Sequence, residues 1–140
     1  MRIFLAEDNP ADIYLIREAL GVNTQGDIEL LVAHDGAEAL DYVHRRGRFA
    51  SLPRPDLVVL DLNLPKNDGS DVLQSIRESP EMHEIPVVIL TSSDSPRDRA
   101  MAVRLGASGY ITKPSDLDAF LSLGETLTSY VGSSDVRGHH

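Results

Sequence analysis

Carboxylates at Glu7, Asp8 and Asp61, a hydroxyl at Thr91 and an ammonium at Lys113 each fall where a short apolar run of this 140-residue chain ends. If those ends meet, three acids share one hollow with Lys113. Two unit charges about 4 Å apart repel by about 1 kcal/mol in water and about 4 kcal/mol at an effective dielectric of 20, so such a hollow demands compensation. Either one acid stays protonated or a cation enters, and Lys113 is one fixed cation already. Oxygen donors without His or Cys suit a hard ion, Mg²⁺ rather than Zn²⁺. Mg²⁺ is typically held by one or two carboxylates plus a phosphate oxygen, which leaves one acid free. Asp61, at the end of the central run, is that acid by position. A carboxylate there is a candidate nucleophile toward a phosphoryl group, forming an acyl phosphate. Lys113 and the Thr91 hydroxyl then neutralise and hydrogen-bond the equatorial oxygens.

The elements that must position these groups read as alternating strands and helices. Residues 57–60 are wholly apolar with a Val58-Val59 centre, long enough for a strand buried on both faces and too short for a helix. Pro65 and Asn67-Asp68-Gly69 turn the chain after it, and Asp68 caps a helix over 69–78 that buries Val72, Leu73 and Ile76. Upstream, residues 3–6 form a first strand. Asn9-Pro10 then starts a helix over 10–20 with Ile13, Ile16 and Leu20 inward and Gly21 past its end. Residues 28–33 form a second strand, and Asp35 with Glu38 opens a helix carrying Ala39, Leu40 and Val43 inward. A basic loop runs from Arg45 to Pro55, a solvated face or otherwise a partner contact. Residues 87–90 give a fourth strand ending in Thr91-Ser92-Ser93. Ser95-Pro96 starts a helix with Ala100, Val103 and Leu105 inward, ended by Gly106. Residues 108–112 form a fifth strand, followed by Lys113-Pro114. Ser115, with Asp118 three residues on, caps a last helix holding Leu117, Phe120, Leu121, Leu123 and Leu127. This alternation predicts a doubly wound α/β fold with a parallel sheet covered on both faces, and ligands in open sheets of this kind bind beyond the strand carboxyl ends.

Composition narrows the function classes. With 41% hydrophobic residues the chain suffices for one domain over residues 1–132, leaving a polar tail over 133–140 whose Gly138-His139-His140 reads as the start of an expression tag. A formal charge of −9 disfavours nucleic acid as a partner. Cysteine is absent, which excludes disulfides, thiolate metal sites and a thiol nucleophile. No apolar run approaches the roughly 20 residues of a membrane helix, so neither membrane insertion nor secretion is expected and a cytoplasmic location is the default. His34, His44 and His83 stand at unrelated spacings and read as surface residues rather than ligands.

The order Glu7-Asp8, Asp61 with Pro65 and Gly69 after it, Thr91-Ser92 and Lys113-Pro114 resembles the receiver domain of two-component response regulators over essentially the whole chain. The resemblance implies a five-stranded, flavodoxin-like sheet of order 2-1-3-4-5. It implies Mg²⁺ held by Glu7, Asp8, Asp61 and the backbone carbonyl of Asn63, with Asp61 taking a phosphoryl group from a histidine kinase. The hydroxyl and lysine roles fall to Thr91, with Ser92 beside it, and Lys113; Tyr110 matches an aromatic switch position coupled to Thr91; Pro65, Gly69 and Pro114 serve loop geometry. The loop after Asp61 and the insertion from Arg45 to Pro55 are similar to those of stand-alone regulators that partner phytochrome-type histidine kinases, which are often homodimers.

Other readings compete. Each strand-end acid can merely cap a loop or sit favourably near a helix N-terminus. A phosphohydrolase of the haloacid-dehalogenase type also uses a strand-end Asp, a Lys and Mg²⁺, but needs a second Asp two positions on, where Asn63 stands and cannot transfer the proton. A phosphate-independent interaction module is the remaining alternative. Neither glycine-rich nucleotide fingerprint follows a strand.

Overall fold

The computed structural model describes residues 1–22 and 27–138, with the side chains of 132–138 left undescribed. Five strands, β1 (Arg2–Ala6), β2 (Glu29–Ala33), β3 (Leu57–Leu60), β4 (Val87–Thr91) and β5 (Gly109–Thr112), pair in parallel in the order β2-β1-β3-β4-β5. The helices are α1 (Pro10–Leu20), α2 (Gly36–Val43), α3 (Gly69–Glu78), α4 (Pro96–Arg104), α5 (Leu117–Leu121) and α6 (Leu123–Gly138). This is the doubly wound arrangement that the alternation predicts, in the flavodoxin-like order that the family resemblance implies.

Alternation along the strands sorts side chains into two cores. Phe4, Ala6, Val58, Leu60, Val87 and Ile89 face one way and pack on Ala39, Tyr42 and Val43 of α2 and on Val72, Leu73 and Ile76 of α3. Ile3, Leu5, Leu57, Val59, Val88 and Leu90 face the other way, onto Ile13, Ile16 and Leu20 of α1 and onto Phe120, Leu123 and Leu127. Fully buried central strands explain why β3 and β4 read as unbroken apolar runs.

The expected helix starts recur with their chemistry. The Asn9 side chain accepts from the backbone N–H of Ala11 and Asp12, that of Asp35 from Glu38, that of Asp68 from Ser70 and Asp71, and that of Ser95 from Asp98. Two expectations need correction. In α4 the inward stripe is Met101, Ala102 and Leu105, while Ala100 is exposed and Val103 is 74% exposed. The helical period offers either stripe, and Arg97 and Arg104, one turn before and after Ala100, make its side polar and leave the Ala102 side to bury. At the last helix start, Asp116 rather than Ser115 is the cap, accepting from the Ala119 N–H at 2.9 Å. The helix then breaks at Ser122, whose hydroxyl donates to the Ala119 carbonyl at 2.9 Å. Phe120, Leu123 and Leu127 thereby stay inward, and Leu117 and Leu121 are exposed.

Helix α6 continues through Gly138 into the segment read as a polar tail; His139 and His140 lie outside the described residues. The basic loop pairs with acids of its own chain, Arg45 with Glu81 at 3.1 Å, Arg46 with Asp41 at 3.1 Å and Arg48 with Glu38 at 3.3 Å. Exposed pairs of this kind contribute at most about 1 kcal/mol each. No helix among the described residues is long and apolar enough to cross a membrane.

Candidate phosphoryl and metal site

Strand register brings the site together. Ala6 pairs with Leu60 and Thr91 pairs with Thr112, so Glu7 leaves the sheet beside Asp61, and Lys113 leaves it beside Thr91. Backbone bonds hold each exit in place: Asp61 N–H to Ala6 O at 3.1 Å, Glu7 N–H to Ala33 O at 3.0 Å, and Lys113 N–H to Thr91 O at 2.7 Å. Residues far apart in the chain thus share one crevice at the carboxyl ends of the strands.

Carboxylate oxygens of Glu7, Asp8 and Asp61 lie within 4.8 Å of one another. Glu7 and Asp61 are buried, at 1% and 5% exposure, and Asp8 is exposed at the mouth. The Lys113 ammonium sits 2.8 Å from Glu7, 2.9 Å from Asp61 and 2.7 Å from Asp12. Its three N–H donors therefore meet three carboxylates.

The two buried acids respond differently to these surroundings. Burial pushes Glu7 up to about 7, helped by the Asp61 charge and opposed by hydrogen bonds from Lys113 and the Asn9 N–H. Burial also acts to raise Asp61, but hydrogen bonds from Lys113, the Asn63 N–H and the Thr91 hydroxyl outweigh it and hold Asp61 below the ordinary carboxylate range. Lys113 is held above its ordinary value: burial opposes the charge, and Asp12, Glu7 and Asp61 more than offset it. Asp61 is anionic at neutral pH, as a carboxylate nucleophile must be, while Glu7, raised to about 7, takes up a proton in a range where an ordinary carboxyl does not.

The donor set fits a hard divalent ion. Oxygens bound to one Mg²⁺ at 2.0–2.1 Å lie at most about 4.2 Å apart, close to the spacing of the trio. Glu7, Asp8 and Asp61 supply only oxygen, and Asn63 stands exposed two residues after Asp61 with its N–H on Asp61 Oδ1 at 3.1 Å. A divalent ion held by Glu7, Asp8 and Asp61 would supply positive charge for phosphoryl oxygens.

The remaining predicted residues surround the crevice. Thr91 is fully buried, its Oγ1 accepting from the Asn63 amide at 3.5 Å and from the Ser93 N–H at 3.4 Å. Ser92 is exposed next to it. The Tyr110 hydroxyl donates to the Ser93 carbonyl at 2.9 Å, so the half-buried aromatic is fastened to the loop after Thr91. Gly69 is needed for close approach: a Cβ there would lie 2.4 Å from the Asp61 carbonyl oxygen and 2.7 Å from Leu62 Cα. Pro65 holds the other side, its carbonyl accepting from Gly36 N–H at 2.9 Å. Pro114, following Lys113, restricts the lysine to the extended region.

Sequence reasoning missed Asp12 and Arg99. Asp12 lies one helical turn past Glu7-Asp8 and meets Lys113 across 101 positions of chain. Its one sequence signal is an acid in the first turn of a helix already capped by Asn9. The Arg99 guanidinium stacks 4.6 Å over the Tyr110 ring and donates to Thr112 Oγ1 at 2.9 Å, and one of three arginines in a polar helix carries no such signal.

Comparison with known proteins agrees with this geometry. The family described as response regulator receiver domain matches residues 3–123. The response regulator Rcp1 of Synechocystis sp. is 38% identical over 128 residues, spanning 91% of this chain and 86% of the relative. Among solved structures, the phosphorylated cyanobacterial phytochrome response regulator RcpA superposes with a TM-score of 0.87 at 41% identity, covering 95% of this chain and 94% of that one. The Mn(2+)-bound form of Rcp1 gives 0.84 at 37% identity, with 92% of each chain covered. Five parallel strands in this order, an acid cluster at their carboxyl ends and a match over residues 3–123 place the chain in the response regulator receiver domain family.

Proposed function

We propose that Asp61 accepts a phosphoryl group from a histidine kinase while Mg²⁺ is held by Glu7, Asp8, Asp61 and the Asn63 carbonyl. The observation that carries this reading is the convergence of a low-pKa Asp61, Lys113 at 2.9 Å, buried Thr91 and two further acids in one crevice. One Asp61 oxygen attacks phosphorus, and the bond to the donor's leaving group breaks in line. Lys113 and the Thr91 and Ser92 hydroxyls take the phosphoryl oxygens. The protein acts as a phosphoacceptor and switch rather than a turnover enzyme.

The new charge draws Thr91 and its loop toward the phosphate and shifts Tyr110, which is tied to that loop through Ser93, between two populations. RcpA is a phytochrome response regulator solved phosphorylated, and Rcp1 is solved with Mn(2+), which favours a phytochrome-type kinase as the partner and a divalent ion as the cofactor here. A homodimer, no nucleic acid and a cytoplasmic setting complete the reading. A phosphohydrolase is disfavoured because Asn63 offers an amide, already hydrogen-bonded to Thr91, where an acid/base is required.

The test is titration with beryllofluoride and Mg²⁺ followed by amide NMR, with sedimentation mass measured in parallel. The reading expects shifts at the Asp61, Thr91 and Tyr110 segments that Asp61→Asn abolishes. Shifts that persist in Asp61→Asn, or none in the natural sequence, leave the phosphate-independent module standing.

A further inference from the structure

We infer that Asp12 is a positioning residue for phosphoryl transfer, holding the Lys113 ammonium against Asp61 from outside the acid trio. The inference rests on the proposed phosphoacceptor role of Asp61. Lys113 Nζ lies 2.7 Å from Asp12 Oδ2 and 2.9 Å from Asp61 Oδ2, so one ammonium bridges the two acids. Glu7 is its third partner at 2.8 Å. Glu7 belongs to the acid trio that would hold a divalent ion, so its carboxylate would be shared between that ion and Lys113. Asp12 is not a member of that trio.

Ordinary helix chemistry does not account for the Asp12 geometry. Asn9 already caps α1, its Oδ1 accepting from the N–H of Ala11 at 2.9 Å and of Asp12 at 3.4 Å, so the Asp12 carboxylate is released from the backbone. It turns instead to an ammonium 101 positions away. The contact is well shielded: the Lys113 side chain is 11% exposed and that of Asp12 is 20% exposed. A lysine left without Asp12 regains rotamer freedom along four methylenes, and each phosphoryl contact must then be made at the cost of ordering it. Asp12 also ties α1 to the loop after β5, the two segments that flank the crevice on that side.

A double-mutant cycle read by beryllofluoride affinity at saturating Mg²⁺ tests this, with Mg²⁺ affinity measured alone as the control. Asp12→Ala is expected to weaken beryllofluoride binding about fivefold or more, while Asp12→Asn, which keeps an acceptor at the same place, recovers most of the loss. In a Lys113→Met background Asp12→Ala is expected to have no further effect, because the residue acts through the lysine. Unchanged affinity in Asp12→Ala, or an equal loss in the Lys113→Met background, overturns the inference. Failure of the natural sequence to bind beryllofluoride with Mg²⁺ instead overturns the phosphoacceptor reading beneath it.

Discussion

The raised value of Glu7 should make divalent-ion binding pH-dependent in a window where carboxylates are ordinarily silent. Metal ligation requires the anion, so an ion entering the crevice must expel any proton on Glu7. With Glu7 raised to about 7, the apparent Kd is multiplied by about elevenfold at pH 6, about twofold at pH 7 and about 1.1-fold at pH 8. Binding is therefore about tenfold weaker at pH 6 than at pH 8, a difference of about 1.4 kcal/mol. A carboxyl at its ordinary value changes by only about 3% over the same span. Isothermal titration with Mg²⁺, which avoids exposed imidazoles, measures this directly in buffers of different ionisation heat. The heats should report about 0.9 proton released per ion at pH 6 and about 0.1 at pH 8. Glu7→Gln should bind Mg²⁺ more weakly and with a flat pH profile. Equal affinity and no proton release at pH 6 and pH 8 in the natural sequence would refute the assignment of Glu7 as a buried, proton-holding ligand.

The same shift has a stability sign. Without the ion, folded Glu7 binds its proton more tightly than the unfolded chain does, so thermal stability should fall as pH rises from 4.5 through about 7. Glu7→Gln should flatten that slope. Lys113→Met should tighten Mg²⁺ binding by roughly fivefold, about 1 kcal/mol, because it removes a positive charge from beside Glu7 and Asp61, while slowing phosphorylation by acetyl phosphate; weaker Mg²⁺ binding contradicts this. Gly69→Ala should lower stability by about 1–3 kcal/mol or more in denaturant melts, since its Cβ meets backbone at Asp61 and Leu62 that cannot yield cheaply; an unchanged midpoint contradicts the packing. Asp35→Ala should lower stability by about 1 kcal/mol through loss of the α2 cap, which also anchors Lys66 of the Asp61 loop at 3.4 Å. Asp35 is held below its ordinary value, chiefly by the Glu38 N–H, so its contribution is present above 3.8 and fades as pH falls through its folded value.

The parts legible in the sequence are those set by local chemistry. Apolar runs at 57–60 and 87–90 are strands because no helix closes in four residues, and Asn9-Pro10, Asp35 with Glu38, Asp68 and Ser95-Pro96 mark helix starts with side chains that satisfy orphan N–H groups. The site residues were legible because open parallel sheets gather strand ends. What stayed hidden depends on geometry across the chain. Asp12 looks like any first-turn acid until β5 delivers Lys113 to it. Tyr42 stacks on Phe4 with centroids 4.1 Å apart and donates to Pro53 O at 2.6 Å, a core role that its polar hydroxyl disguises. Ser115 and Asp116 offer competing caps one residue apart, and only packing of Phe120 against α1 decides between them.

The central claim is that Asp61 carries the phosphoryl group, and tandem mass spectrometry after incubation with acetyl phosphate and Mg²⁺ tests it most directly. The expected result is one hydroxylamine-labile phosphoryl group on the peptide containing Asp61, dependent on Mg²⁺ and lost in Asp61→Asn. A phosphoryl group on another residue, or none on a folded protein with Mg²⁺ bound, contradicts it.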